Sequence, residues 1–294
     1  MNPAAADTNS QQSGAAIGSE RDYSVLMAVY WRESPVFLDE ALQSIYTQTW
    51  PPREIVLVKD GPLTAELEAT IAAHVRAARS RFVVVVLERN QGLGTALQTG
   101  LMNCSCLIVA RMDADDIAIP SRCEKQLRFL DEHSEVDAVG SWIAEFEADE
   151  KEIQAYRLVP AEPRDVARFA RKRNPFNHMT VMMRKSAALQ AGGYRPFTGF
   201  EDYYLWVRML LNGSKLANLP ECLVNVRAGL AQIERRGGWN YARAEINFQC
   251  ELRRLRFTGS LQFFVNCLLR AGVRIVPVQT RRLIYRLIRR IREL

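Results

Sequence analysis

Three aspartates, Asp113, Asp115 and Asp116, stand within four positions. Carboxylates that close repel one another unless a cation sits among them. An all-oxygen set suits Mg2+ or Mn2+, which commonly share their coordination with substrate phosphates. The bland alternative is a solvated acidic loop with Asp116 capping a turn. A second acidic pair, Glu201-Asp202, opens a stretch in which Leu205 and Met209 share a helical face. Acids at a helix start are favoured by the helix dipole. Facing a pocket, the same pair offers a general base. Tyr30 follows an apolar run, and Asp60 precedes Gly61-Pro62. In a nucleotide pocket Tyr30 stacks on the base and Asp60 accepts a hydrogen bond from its edge. Otherwise they are a core aromatic and a turn residue. His178 lies in a polar turn and is one of three histidines. Gly92-Leu93-Gly94 departs from GxGxxG because Leu97 stands at the third glycine. Gly92 therefore reads as a tight turn before a closely packed helix, with Asn90 and Gly92 bordering the pocket.

These residues need elements to hold them. The apolar runs 24–29, 54–58, 82–87 and 106–110 read as strands, the first buried on both faces and the second likewise buried. Between them, apolar residues recur at helical spacing: Leu38, Ala41, Leu42 and Ile45; then Leu67, Ile71 and Val75; then Leu93, Leu97 and Leu101. Ser34-Pro35 reads as an N-cap with proline at the first helical position. The run 121–124, Ser-Arg-Cys-Glu, has the form of a capping box. Strand and helix alternate, which predicts an α/β domain with a mostly parallel, Rossmann-like sheet. Ligands of such sheets sit at the carboxyl ends of the strands. Tyr30, Asp60 and the aspartate cluster all fall there.

The 294 residues are 48% hydrophobic and 24% charged, ordinary globular values that exclude collagenous and wholly disordered chains. No uncharged apolar run reaches about 18 residues, and no secretory leader is expected. Six cysteines lack metal-knuckle spacing and are expected to be buried, reduced thiols. The net charge of +6 is unevenly spread: residues 251–294 hold eleven arginines and two glutamates, and the rest of the chain is slightly acidic. A basic tail points to an anionic surface. Leu283, Ile284, Leu287, Ile288, Ile291 and Leu294 recur at helical spacing among those arginines, and 261–278 is mostly apolar but interrupted by Arg270, Arg274 and Pro277. The pattern predicts an amphipathic helix in a membrane interface, the alternative being a helix packed on the domain. Aromatics are scarce there, so nucleic acid is not expected. The expected organisation is a disordered tail over 1–22, a catalytic domain over 23–245 with halves 23–120 and 121–245, and a basic helical tail over 246–294.

In order, the runs 24–30, 54–61, Asn90-x-Gly92, Met112 to Asp116, Asn177-His178 and Glu201-Asp202 resemble family 2 glycosyltransferases of bacterial exopolysaccharide and lipopolysaccharide synthesis. The resemblance covers about residues 23–240 and implies the GT-A fold. It places Ala28 and Tyr30 beside a uracil, with Asp60 bonding its imide edge. Asp113 and Asp115 would meet the ribose and the metal-diphosphate, with Mn2+ or Mg2+ as cofactor. Asp202 would be the catalytic base, with Glu201 beside it and His178 near the acceptor or diphosphate.

The implied activity is inverting transfer of one sugar from a nucleotide-sugar, a UDP-sugar by resemblance, to an oligosaccharide or lipid-linked acceptor. The implied place is the cytoplasmic face of the membrane. The sequence departs from the family at Lys59, where many members carry Asp. It lacks the tryptophan of a processive Gln-x-x-Arg-Trp motif, since Gln232 leads to Arg235-Arg236. Those two arginines read either as a loop closing over phosphates or as a solvated basic turn. Two other readings stand beside this one. A sugar-phosphate nucleotidylyltransferase would need a Gly-rich loop after the first strand, where this chain has Tyr30-Trp31. A catalytically silent scaffold would not need Asp113, Asp115 and Asp202.

Overall fold

Val25, Leu26, Met27 and Val29 are at most 1% exposed, and Ile55, Val56, Leu57 and Val58 are wholly buried. Both faces of these strands are covered, which is why their sequences run apolar without alternation. The computed structural model describes residues 22–78, 81–228 and 238–275. Its first half runs β1 (Tyr23–Val29), α1 (Pro35–Tyr46), β2 (Glu54–Asp60), α2 (Ala65–Ala77), β3 (Arg81–Leu87), α3 (Leu93–Asn103) and β4 (Ile108–Arg111). Then come β5 (Ile117–Ala118), α4 (Arg122–Glu132), β6 (Val136–Phe146), β7 (Ala155–Arg157), α5 (Pro163–Ala170), β8 (Met182–Arg184), α6 (Lys185–Gln190), α7 (Glu201–Leu211) and β9 (Lys215–Arg227). Two further helices follow, α8 (Trp239–Arg254) and α9 (Ser260–Asn266), the latter continuing through a π turn at Cys267–Ala271 into Gly272–Ile275.

One nine-stranded sheet has the order β3-β2-β1-β4-β8-β6-β9-β5, with β7 on β6. The first four strands of that order are parallel. In the second half β6 and β9 are also parallel, from Val136 opposite Lys215 to Phe146 opposite Arg227, so the expectation of a mostly parallel sheet holds. Strand β8 is antiparallel to both β4 and β6, and β5 is antiparallel to β9. Strand β8 enters the sheet straight from the one-turn helix His178–Thr180.

Helices cover both faces. Leu38, Leu42, Leu67 and Leu127 form a core on one side, and Leu97, Leu101, Val166, Leu205 and Met209 one on the other. This is a three-layer α/β arrangement. Helix α3 lies directly on the sheet because residue 100 is glycine; a Cβ there would collide with Leu26 and Val58. A buried polar knot ties the amino edge of the parallel half. The wholly buried Glu54 accepts from the Ser24 hydroxyl at 2.6 Å and from the Ser105 N–H.

Several local expectations hold. Ser34 caps α1, with Pro35 in its first turn, as expected; the Thr64 cap on α2 is an addition of the structure. Others need correction. Ser121 makes no cap bond, and Glu124 turns away to accept from Thr49 at 2.7 Å and to pair with Arg128. Val75 is 42% exposed, and His74 takes the inward position, bonded to Asp39 at 2.8 Å. Cys104, Cys106 and Cys123 are buried, but Cys250 is exposed. The boundary expected at 245/246 falls inside α8. That helix is seated on α7, because Phe248 and Leu252 pack against Phe200, Tyr203, Tyr204 and Val207. The expected N-terminal tail, apart from Asp22, and the stripe from Leu283 onward lie outside the described residues.

Candidate active site

Strands β1, β2 and β4 run parallel, so Val29, Asp60 and Arg111 end on one edge. Asp60 is 4% exposed. Its two carboxylate oxygens accept from the backbone N–H groups of Gln91 at 2.7 Å and Gly92 at 3.0 Å. The Asn90 amide donates to the Asp60 carbonyl at 3.2 Å. Gly92 holds φ at 84° at the start of α3, a left-handed conformation that glycine adopts without strain. Asp60, Asn90 and Gly92 thus come together as one strap joining β2 to α3. Ala28 and Tyr30, at the end of β1, are half-buried, and the Tyr30 carbonyl accepts from the Glu33 N–H at 3.1 Å.

One ligand oxygen from each of Asp113, Asp115 and Asp116 lies within 4.8 Å of the others. Asp116 is 2% exposed. Its Oδ1 accepts from the Arg227 N–H at 3.1 Å, and its Oδ2 is buried with no hydrogen-bond partner among the described residues. Burial, and then the charges of Asp115 and Asp113, push its carboxyl well above the ordinary range. An orphaned carboxylate oxygen beside two more accessible carboxylates fits a hard divalent cation, which would relieve the mutual repulsion.

Asp113 is ion-paired with Arg111, whose side chain is 2% exposed. Arg122, wholly buried, donates to the Arg111 carbonyl at 2.6 Å and to Gln126 at 3.1 Å. Two buried guanidinium groups therefore stand behind the three aspartates.

Glu201 and Asp202 form the first turn of α7. Asn174 donates to Asp202 Oδ2 at 2.6 Å, and its own Oδ1 accepts from the Phe176 N–H at 3.2 Å, which fixes the amide. Burial, reinforced by Asp202, pushes Glu201 up to about 7. Burial also raises Asp202, against the pull of its hydrogen bonds. His178 lies 3.0 Å from the Tyr194 hydroxyl. Burial and the Arg111 charge hold it well below its usual range, so it is neutral at pH 7. Arg111 acts on His178, Tyr194, Glu201 and Asp202 as well as on the aspartates. All of these groups share one electrostatic site.

The family described as glycosyl transferase family 2 matches residues 24–192. That span holds both strand edges, the strap and the aspartate cluster. This chain belongs to glycosyl transferase family 2. The glycosyltransferase is 40% identical over 263 residues to the amylovoran biosynthesis glycosyltransferase AmsE of Erwinia amylovora, covering 90% of this chain and 97% of that one. It is 37% identical to the Escherichia coli UDP-Gal:alpha-D-GlcNAc-diphosphoundecaprenol beta-1,3-galactosyltransferase, covering 90% and 95%. Its fold is that of the mannosyltransferase PcManGT from Pyrobaculum calidifontis, solved with GDP-Man and Mn2+. The TM-score there is 0.61, with 17% identity and coverage of 87% and 72%. Relatives in bacterial polysaccharide synthesis and a GT-A structural neighbour match the expected family and fold.

The structure adds partners that the sequence reading passed over. Arg111 stood in plain view before the aspartates, and only its complete burial shows its place at the centre. Asn174 lay beside His178 in the same run, and its bond to Asp202 depends on a fold that brings positions 28 residues apart together. Asn177, in contrast, is wholly buried and donates to the backbone carbonyls of Ser141 and Arg157, so it holds the chain path. Arg235 and Arg236 lie outside the described residues.

Proposed function

We propose that this glycosyltransferase transfers a single sugar, with inversion, from a UDP-sugar to an oligosaccharide or lipid-linked acceptor of bacterial surface polysaccharide synthesis. The observation that carries this reading is the meeting of two acidic groups, 113–116 and 201–202, around one buried guanidinium. Asp60, Ala28 and Tyr30 would hold the uracil, and Asn90 and Gly92 would shape that wall. Asp113, Asp115 and Asp116 would hold Mn2+ or Mg2+. When bound, such an ion neutralises the charge that builds on the leaving diphosphate.

Asp202 takes the proton of an acceptor hydroxyl while that oxygen forms its bond to C1 of the sugar. The C1–O bond to the diphosphate breaks on the opposite face, and the electron pair leaves with the nucleoside diphosphate. An α-linked donor then gives a β-linkage. His178, neutral and bonded to Tyr194, offers a hydrogen bond to the acceptor or diphosphate without adding charge. The UDP-Gal and diphosphoundecaprenol in the name of the E. coli relative support the donor and acceptor classes. The mannosyltransferase solved with Mn2+ supports the cofactor. The domain would comprise a donor half, 23–120, and an acceptor half from 121. The basic C-terminal tail would keep the enzyme on the anionic inner face of the cytoplasmic membrane.

The test is release of nucleoside diphosphate from UDP-, GDP- and dTDP-sugars, with membrane extract as acceptor, with and without Mn2+ or Mg2+. Metal-dependent release from a UDP-sugar that disappears in Asp202→Asn supports the reading. Equal turnover by that variant removes Asp202 as the base. No release from any donor by folded protein returns weight to a silent scaffold.

A further inference from the structure

Leu261, Phe264, Val265, Leu268 and Leu269 lie at i, i+3, i+4, i+7 and i+8 along α9 and its π-turn continuation. Apolar residues at that spacing normally mark the face a helix turns to the core. Here every one of them faces solvent, at 79, 67, 40, 76 and 62% exposure. A contiguous exposed apolar face of this kind marks an interaction surface.

The opposite face is firmly held. Asn266, 4% exposed, donates to the Arg171 carbonyl at 3.0 Å and to Gln249 at 2.9 Å. Arg270 interrupts the apolar run in sequence, but it turns inward to pair with the wholly buried Glu245 at 2.7 Å and to donate to the Lys172 carbonyl at 3.1 Å. The rotation of the helix is thereby fixed with its apolar stripe outward.

Charge selects the occupant. Residues 252–292 carry eleven arginines and no Asp or Glu. Arg253, Arg254 and Arg256 are exposed, and Arg253 donates to Ser260, the first residue of α9, at 2.7 Å. A second copy of this chain, paired about a two-fold axis, would set arginines against arginines. Arg254 is paired with Glu251, which leaves Arg253 and Arg256 as exposed cations just before α9. Apolar side chains next to such cations, in an arginine-rich stretch of sequence, match the boundary of an anionic bilayer, where headgroups meet arginine and acyl chains meet Leu and Phe.

We infer that Leu261, Phe264, Val265, Leu268 and Leu269 form the face by which this protein inserts into the surface of an anionic phospholipid bilayer. This deepens the proposed membrane association and rests on it, by naming an apolar contact upstream of the arginine-rich tail. The docking face is coupled to the chemistry. Through the Glu245–Arg270 pair it is fixed to α8, and through Phe248 and Leu252 to α7, whose first turn holds Asp202.

The test is co-sedimentation of the full chain with phosphatidylcholine vesicles, with and without phosphatidylglycerol, at low and high salt. Wild type should bind only the anionic vesicles, and a fraction should stay bound at high salt. Phe264→Asn with Leu268→Asn should lose about tenfold or more of that salt-resistant binding, as expected for two large apolar groups withdrawn from lipid. Its melting temperature and its donor turnover with a soluble oligosaccharide acceptor should not change. Arg286→Gln with Arg289→Gln and Arg290→Gln should weaken only the salt-sensitive part.

Unchanged binding by the Phe264/Leu268 variant overturns the inference, as does a wild type that ignores anionic vesicles. A dimer seen by light scattering that this variant dissociates assigns the stripe to a second copy instead. Vesicle binding without sugar transfer would sink the enzymatic proposal and leave the docking face standing.

Discussion

Arg111 and Asp113 form an ion pair in which the arginine side chain is 2% exposed while the aspartate side chain remains 29% exposed. The arginine is buried behind the aspartate, so it competes with any cation that approaches from the open side. Arg111→Met should therefore tighten Mn2+ binding to the donor-free protein by about tenfold, or about 1.4 kcal/mol, a cautious fraction of the Coulomb energy at this range. Donor KM should rise, because Asp113 loses the group that orients it. An electron paramagnetic resonance titration of Mn2+ with wild type, Arg111→Met and Arg111→Lys checks this. Weaker Mn2+ binding in the methionine variant would show that the pair organises the ligands more than it competes for them.

Asp202 owes part of its ionised character to Asn174. A hydrogen bond donated to a carboxylate favours the charged form, so removing it raises the pKa. Asn174→Ala should move the acid limb of kcat/KM upward by about 0.5–1 pH unit. Asp202→Asn should lower kcat by about 100- to 10,000-fold with donor KM nearly unchanged. A pH–rate series on the three proteins separates the two effects. An unmoved limb in Asn174→Ala would mean that the titrating base lies elsewhere.

Glu201 bears on stability as well as on the site. Its carboxyl rises from 4.5 to about 7 on folding, mainly through burial. The folded state therefore holds this proton more tightly than the unfolded chain. That stabilisation is fully present below about pH 4.5 and is lost as pH rises through 7. Glu201→Gln abolishes the titration and should raise Tm at pH 8 relative to wild type by about 1–3 °C, with less gain at pH 5. Melting curves at both values decide it, and an equal shift at both would remove Glu201 as the cause.

The strap from Asp60 to residues 91 and 92 uses both carboxylate oxygens. Asparagine keeps one acceptor and presents an NH2 group to the other N–H. Asp60→Asn should lower stability by about 1–3 kcal/mol and raise donor KM more than it lowers kcat. Denaturant melts and steady-state kinetics test the two halves separately. Unchanged stability would mean that the loop finds other acceptors.

These relationships mark where sequence reading stops. The four parallel strands, their helices and the aspartates at the sheet edge follow from local patterns: apolar runs, helical spacing, and acids directly after a strand. The second half resisted because β8 has only three residues and pairs antiparallel with strands far from it in sequence. No periodicity shows in three residues. Asp202 and His178 were legible by resemblance, since motif order is a property of the sequence. The bond from Asn174 and the burial of Arg111 are tertiary facts with no local signature. The capping box at 121–124 misled because Glu124 found Thr49, 75 residues away.

The knot at Glu54 governs how the donor half can assemble. Its Oε1 accepts from Ser24 of β1 and from the Ser105 N–H just before β4, at sequence separations of 30 and 51, and its Oε2 faces Arg81 of β3 at 3.6 Å. An intermediate with any of these segments undocked would leave a carboxylate under cover without its partners, at a penalty of several kcal/mol. Partly zipped sheets are thus disfavoured, and the parallel strands should form and open as one cooperative unit. Amide hydrogen exchange along β1, β2 and β4 should accordingly report a single shared opening free energy rather than a gradient of fraying.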